Sequence, residues 1–135
     1  MKIVFDFPPN FEVIKTALPD VVGNERVIFT YGDTVYFPYG KHSIPEHLKV
    51  HERTHTKQQG SDPDLWWIKY LSMPSFRLEQ ELEAYRRQYK FFVSKNHNIR
   101  EQRNFLVRLA ADLSSNVYGG IVNLGTAITK ISEPL

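Results

Sequence analysis

Residues 51–55 read His51-Glu52-Arg53-Thr54-His55, and no other run in the chain constrains its fold as tightly. Two histidines four positions apart meet on one face of an α-helix, about one turn from each other. Neutral imidazole is a good zinc ligand, so the pair can fill two corners of a tetrahedral site. Glu52 follows the first histidine. A carboxylate there can face an open coordination position and take a proton from a polarised water. The competing reading is a chance match, with both histidines buried and satisfied by hydrogen bonds.

The flanking residues point to a helix. Ser43-Ile44-Pro45-Glu46 fits a capping box with Ser43 as N-cap and Glu46 three residues on. Pro45 would sit in the first turn, where a missing N–H costs nothing. Gly60 closes the segment, and Pro63 bars direct continuation. Ile44, Leu48, His51 and His55 fall on one stripe at helical spacing, while Glu46, Lys49, Arg53 and Lys57 can face water. The histidines therefore extend the buried stripe of an amphipathic helix.

A zinc site of this kind needs a third protein ligand and a vacant fourth position. The chain has no cysteine, so a thiolate ligand, a zinc knuckle or a Cys2His2 finger is excluded. The candidates are carboxylates and the other histidines, His42, His47 and His97. Downstream, a long helical pattern starts near Pro74 and carries Glu79, Glu81 and Glu83. Glu79 and Glu83 lie one turn apart on one face and Glu81 points elsewhere, so a metal would select a single face. A solvated acidic strip paired with Arg77, Arg86 and Arg87 is the alternative.

HExxH followed by a glutamate on a later helix resembles the gluzincin pattern of zinc metallopeptidases. Glu81-Leu82-Glu83-Ala84-Tyr85 looks like the Glu-x-x-Ala-Asp or Glu-x-x-Ala-Asn segment that carries the third ligand in many small members. The Gln58-Gln59 pair and a β-rich run before the HExxH helix, Thr34 to Pro38, are also similar to compact HExxH domains. The likeness spans about residues 27 to 90 and is strongest to the single-domain minigluzincins.

The resemblance implies a Zn²⁺ held by His51, His55 and Glu81, with Glu52 as general base in peptide-bond hydrolysis. The chain departs from the pattern at Tyr85, where the family often has an Asp or Asn that orients a zinc histidine. That departure keeps Glu83, and less so Glu79, open as the ligand. The resemblance further implies that Thr34 to Phe37 forms an edge strand able to take an extended substrate by β-augmentation. The alternative is an ordinary core hairpin. A second oxyanion donor is expected, and Tyr70, Tyr85 and Tyr118 are the candidates by chemistry.

At 135 residues the chain reads as one domain, residues 1–135, large enough for a real core. The expected class is α+β and mostly helical, with a small N-terminal sheet or hairpin packed beside the HExxH helix. Strands are expected at Lys2 to Phe7, Arg26 to Thr30 and Thr34 to Pro38, with a turn at Tyr31-Gly32-Asp33. Helices are expected at Phe11 to Leu18, Pro63 to Leu71, Pro74 to Lys95 and Ile99 to Ser114. Residues 117–131 are small and apolar at helical spacing, which reads as core packing. Trp66 and Trp67 are adjacent, so one is expected in the core and the other at a pocket or contact surface.

No apolar run reaches the length of a signal peptide core or a membrane span, and cysteine is absent. These features point to the cytoplasm and to no membrane partner. Charge supplies the rival function. The net charge is only +2, yet Arg86, Arg87, Lys90, Lys95, Arg100, Arg103 and Arg108 cluster with interleaved aromatics. Region 86–108 is therefore a candidate nucleic-acid surface. A protein-interaction module with a structural or vestigial metal site is a third possibility. The sequence leaves the oligomeric state open.

Overall fold

A computed structural model describes all residues, Met1 to Leu135. Three short strands, β1 (Lys2–Val4), β2 (Phe29–Tyr31) and β3 (Thr34–Tyr36), form one sheet in the order β1-β3-β2. β2 and β3 are an antiparallel hairpin, whereas β1 joins β3 in parallel. The connection from β1 carries helix α1 (Phe11–Ala17) and a 3₁₀ turn at Pro19–Val21. Such a crossover is what a parallel pair requires. Five further helices follow: α2 (Glu46–Gln59), α3 (Pro63–Ser72), α4 (Pro74–Lys95), α5 (Ile99–Leu113) and α6 (Leu124–Ser132). The fold is thus mostly helical α+β, as expected. No helix is long and apolar enough to cross a membrane.

Local chemistry explains most boundaries. Asp62 accepts a hydrogen bond from the Leu65 amide at 3.0 Å, and Pro63 opens α3. Asn98 caps α5 and Asn123 caps α6 in the same way. The start of α2 differs from the expected capping box. It begins at Glu46 with Pro45 as N-cap and no side-chain cap. A proline disfavours the helical conformation in the residue before it, so Ile44 cannot be the first helical residue and Ser43 lies too far upstream to cap. The expected helical run at 117–131 is also interrupted. A 3₁₀ turn at Asn116–Tyr118 leads to Gly119 and Gly120, both with positive φ (88° and 66°), and α6 starts only at Leu124.

Apolar side chains gather in three groups. Leu82, Tyr85, Phe105, Leu109 and Leu113 join α4 and α5 to Ala127 and Ile131 of α6. Ile14, Leu18, Val21, Phe29, Trp66, Trp67 and Tyr70 join α1, β2 and α3. A smaller group holds Val35, Phe37 and Ile44. Both tryptophans are buried in the core and both also line the cavity described below, so the expected division of core and pocket roles between them is not seen. Each indole N–H finds an acceptor, Trp66 at Gln80 Oε1 (2.8 Å) and Trp67 at Thr30 O (3.0 Å), so adjacent residues enter the interior on two sides of α3.

Part of the basic region is paired within the chain, while Lys90, Arg100 and Arg103 are exposed. Arg86 bonds the Lys130 carbonyl and Glu133, Arg87 pairs with Glu83, Lys95 lies over Phe91, and Arg108 lies over Phe105.

Candidate metal centre

Helix α2 buries a polar stripe. Its buried residues are His51, Glu52, Thr54, His55 and Gln59, none of them apolar. Burying an unpartnered polar group costs about 1–3 kcal/mol by mutational measures, so such a helix is stable only where its neighbours supply partners. The hairpin supplies some. Gln59 Nε2 donates to Thr30 O at 2.7 Å, Gly32 N donates to Gln59 Oε1 at 2.6 Å, and Thr56 Oγ1 donates to Gly32 O at 2.9 Å. These bonds hook the β2–β3 turn onto the last turns of α2, as the expected placement of the hairpin requires.

Helix α4 supplies partners for both histidines, because it packs along α2. Glu81 is buried at 2% exposure between the two histidines. Its Oε1 lies 3.1 Å from His51 Nε2 and its Oε2 lies 3.3 Å from His55 Nε2. The two Nε2 atoms are 3.2 Å apart. His51, His55 and Glu81 therefore form a buried cluster that could hold a metal ion. Among the other candidates, Glu79, His42 and His97 are exposed. Glu83 bonds Gln58 and Arg87 instead. The side chains that come together are the two motif histidines and Glu81.

The two histidine rings are each backed by a glutamine. His51 Nδ1 lies 2.9 Å from Gln88 Oε1, and His55 Nδ1 lies 2.8 Å from Gln58 Oε1. An Nδ1–H donated to an amide oxygen leaves Nε2 as the ring atom that faces Glu81 and that a metal would take, after loss of any proton it carries. Gln58 Nε2 in turn donates to Gln80 O (3.0 Å) and Glu83 Oε1 (2.8 Å). Tyr85, at the position where the resemblance expects an Asp or Asn, packs its ring edgewise against His51 with centroids 4.5 Å apart. Gln88 was not a candidate in the sequence. Its spacing of seven from Glu81, two turns along one helix face, was the available signal. Gln58, three residues after His55, had the same kind of signal.

The tyrosines divide between two tasks. Tyr70 donates its hydroxyl to Glu81 Oε2 at 2.5 Å. Tyr85 and Tyr118 place their hydroxyls 2.7 Å apart. Burial first, then the nearby Glu81 carboxylate, pushes all three phenols well above their usual range, so they stay protonated donors. The buried Arg77 guanidinium holds two of these segments in place by donating to Tyr70 O (2.6 Å) and Tyr118 O (2.9 Å).

Charge is balanced within the cluster. Burial disfavours a charged His55, but the Glu81 carboxylate outweighs it, and His55 is raised to about 9. Burial likewise opposes the Glu81 carboxylate, yet His55 and His51 hold it well below the usual carboxylate range. Glu52 is different. Burial raises it, and only part of that is offset by His51 and His55. Its Oε1 has one long bond from Thr30 Oγ1 at 3.5 Å, and its Oε2 has no partner.

Glu52, His51, His55 and Glu81 all line a cavity of about 610 Å³. Its walls include Leu18, Phe29, Phe37, Ile44, Trp67 and Leu109, and Tyr85 and Tyr118 also face it. A large apolar cavity converging on a few polar groups suits a small-molecule or side-chain ligand. One sequence expectation fails beside it. β3 is the central strand, hydrogen-bonded on both sides, so Thr34 to Phe37 has no free edge for an added strand. β1 takes the edge that the expectation left open.

Comparison of the chain with protein-family models, with curated proteins and with solved structures finds no match.

Proposed function

We propose that the chain is a zinc-dependent peptidase, with His51, His55 and Glu81 as metal ligands and Glu52 as general base. One observation carries the reading: three ligand atoms converge in the same cavity as a buried carboxylate whose Oε2 has no partner. The spacing suits zinc. Bonds of about 2.0–2.1 Å in a tetrahedron give ligand–ligand edges of ~3.3 Å; His51 Nε2 stands 3.2 Å from His55 Nε2 and 3.1 Å from Glu81 Oε1, while His55 Nε2 stands 3.3 Å from the other carboxylate oxygen, Oε2. Two imidazoles and one carboxylate also form a donor set common to catalytic zinc. When bound, the ion supplies a Lewis acid that acidifies a water and polarises a carbonyl.

The chain's own groups do the remaining work. Glu52 Oε2 accepts a proton from the attacking water while the water oxygen bonds to the peptide carbonyl carbon. The same oxygen then returns the proton to the amine nitrogen as the C–N bond breaks. Burial favours the protonated carboxyl between these steps. Two hydroxyls sharing one hydrogen bond leave one O–H proton over, so the Tyr85–Tyr118 pair supplies a donor to the oxygen that gains charge. Tyr70 is excluded from that task because its proton goes to Glu81.

The test is elemental analysis of zinc per chain, followed by peptide hydrolysis for Glu52→Gln. The variant keeps zinc and loses roughly 10²- to 10⁴-fold in kcat/KM. Undiminished hydrolysis removes Glu52 from its role, and a chain that takes up no zinc removes the reading altogether.

A further inference from the structure

Gln88 touches two histidines at once. Its Oε1 is 2.9 Å from His51 Nδ1 and its Nε2 is 3.0 Å from His47 Nδ1. The residue is 2% exposed, so water does not replace either bond. An amide has one accepting end and one donating end. Its orientation therefore sets the proton position on both rings together. With the oxygen toward His51, that ring carries Nδ1–H and its Nε2 keeps a lone pair on the side of Glu81. Rotated by half a turn, the amide would present N–H to His51 Nδ1. Nδ1 would then need the lone pair, and the proton would sit on Nε2, where the metal belongs.

The other end of the amide meets His47. It lies one turn before His51 on α2, and its ring packs edgewise against Phe105 (4.8 Å between centroids) and Phe92 (6.2 Å). Burial, the Arg108 guanidinium and His51 all push it toward the neutral form, in that order. A neutral ring with a lone pair on Nδ1 accepts the Gln88 N–H and points the amide oxygen the other way.

We infer that Gln88 is the positioning residue for His51, and that His47, through the amide, holds it in the orientation that leaves His51 Nε2 free for a metal. The inference rests on the reading of His51 as a metal ligand. It adds that ligand affinity is set by two residues that touch neither metal nor substrate.

Zinc affinity of the full chain, measured by competition with a chromophoric chelator, tests it without reference to activity. Gln88→Leu weakens binding by roughly 10- to 100-fold, the usual effect of losing such a partner. Gln88→Glu restores an acceptor for His51 Nδ1–H and returns affinity to within roughly threefold of the parent. His47→Phe weakens binding by roughly three- to tenfold in the parent chain but adds nothing to Gln88→Leu, because its effect passes through the amide. Circular dichroism on each variant establishes that it is folded. Equal affinity in the parent and Gln88→Leu overturns the assignment while leaving the metal site standing. Failure of Gln88→Glu to restore affinity, or additive losses in the double variant, reduces both residues to packing and overturns it as well. No zinc binding by the parent chain overturns the metal reading itself, and this assignment with it.

Discussion

Glu81 and Glu83 are two residues apart on one helix, yet they face different chemistry. Glu81 accepts from Tyr70 and meets both motif histidines at 2% exposure. Glu83 is half-exposed and bonds Gln58 Nε2 and Arg87. Glu81→Gln keeps the shape of the side chain but removes a charged ligand, so zinc affinity falls by at least ~100-fold. Glu83→Gln keeps an amide oxygen for Gln58 and changes affinity by less than about tenfold. Chelator competition on the two variants checks the order, and a larger loss at Glu83 would reverse the ligand assignment. The resemblance had suggested Glu81 with Glu83 as an alternative register. Helical spacing could not separate them, because it relates residues within α4 and says nothing about which face meets α2.

At the scale of elements, the helices and the hairpin were legible because their signals are local. Prolines, asparagine and aspartate caps and the Tyr31-Gly32-Asp33 turn act within four residues of themselves. The misreadings arose where a local signal met a second constraint. Ser43 and Glu46 have capping-box spacing, but Pro45 holds Ile44 out of the helical region and delays α2 to Glu46. Residues 117–131 have helical apolar spacing, but Gly119 and Gly120 both take positive φ and turn the chain before α6. Gly119 is needed there. Its φ is 88°, and a Cβ would stand 3.2 Å from the Arg77 guanidinium that anchors Tyr118. Gly119→Ala costs about 1–3 kcal/mol of stability by chemical denaturation. Gly125→Ala serves as the contrast. It lies in the first turn of α6, and the nearest atom to its Cβ would be Asn123 Oδ1 at 3.7 Å. That variant is neutral or stabilising by up to ~1 kcal/mol. Equal losses at both sites would remove the special role of Gly119.

Across the whole molecule, the proposed metal centre would make the polar stripe of α2 couple folding to metal. The three ligands come from two helices, with His51 and Glu81 thirty positions apart, so a bound ion cross-links α2 to α4 and binds only the folded chain. Zinc at ~1,000 times its Kd stabilises by about 4 kcal/mol, and a chelator that strips it lowers Tm accordingly. In the metal-free fold His55 holds a proton up to about pH 9 against an ordinary value of 6.5. Uptake at pH 7.5 therefore releases that proton, and affinity tightens as pH rises toward 9. The sign for stability follows. The His55–Glu81 pairing stabilises the metal-free chain in full below pH 6.5 and is lost as pH climbs through about 9. Thermal melts with and without zinc across that range read both effects. A metal-free chain that grows more stable from pH 6.5 to 9 would contradict the pairing.

The helices, the hairpin and the one helix face that carries both histidines were legible in the sequence, because each follows from periodicity and turn chemistry within a few residues. The sequence could not decide that β3 lies inside the sheet, that both tryptophans are buried, or that Gln58 and Gln88 stand behind the histidines. Those depend on how α2, α4 and the hairpin pack. Their packing is set by summed burial over the whole chain, for which a linear pattern holds no distance.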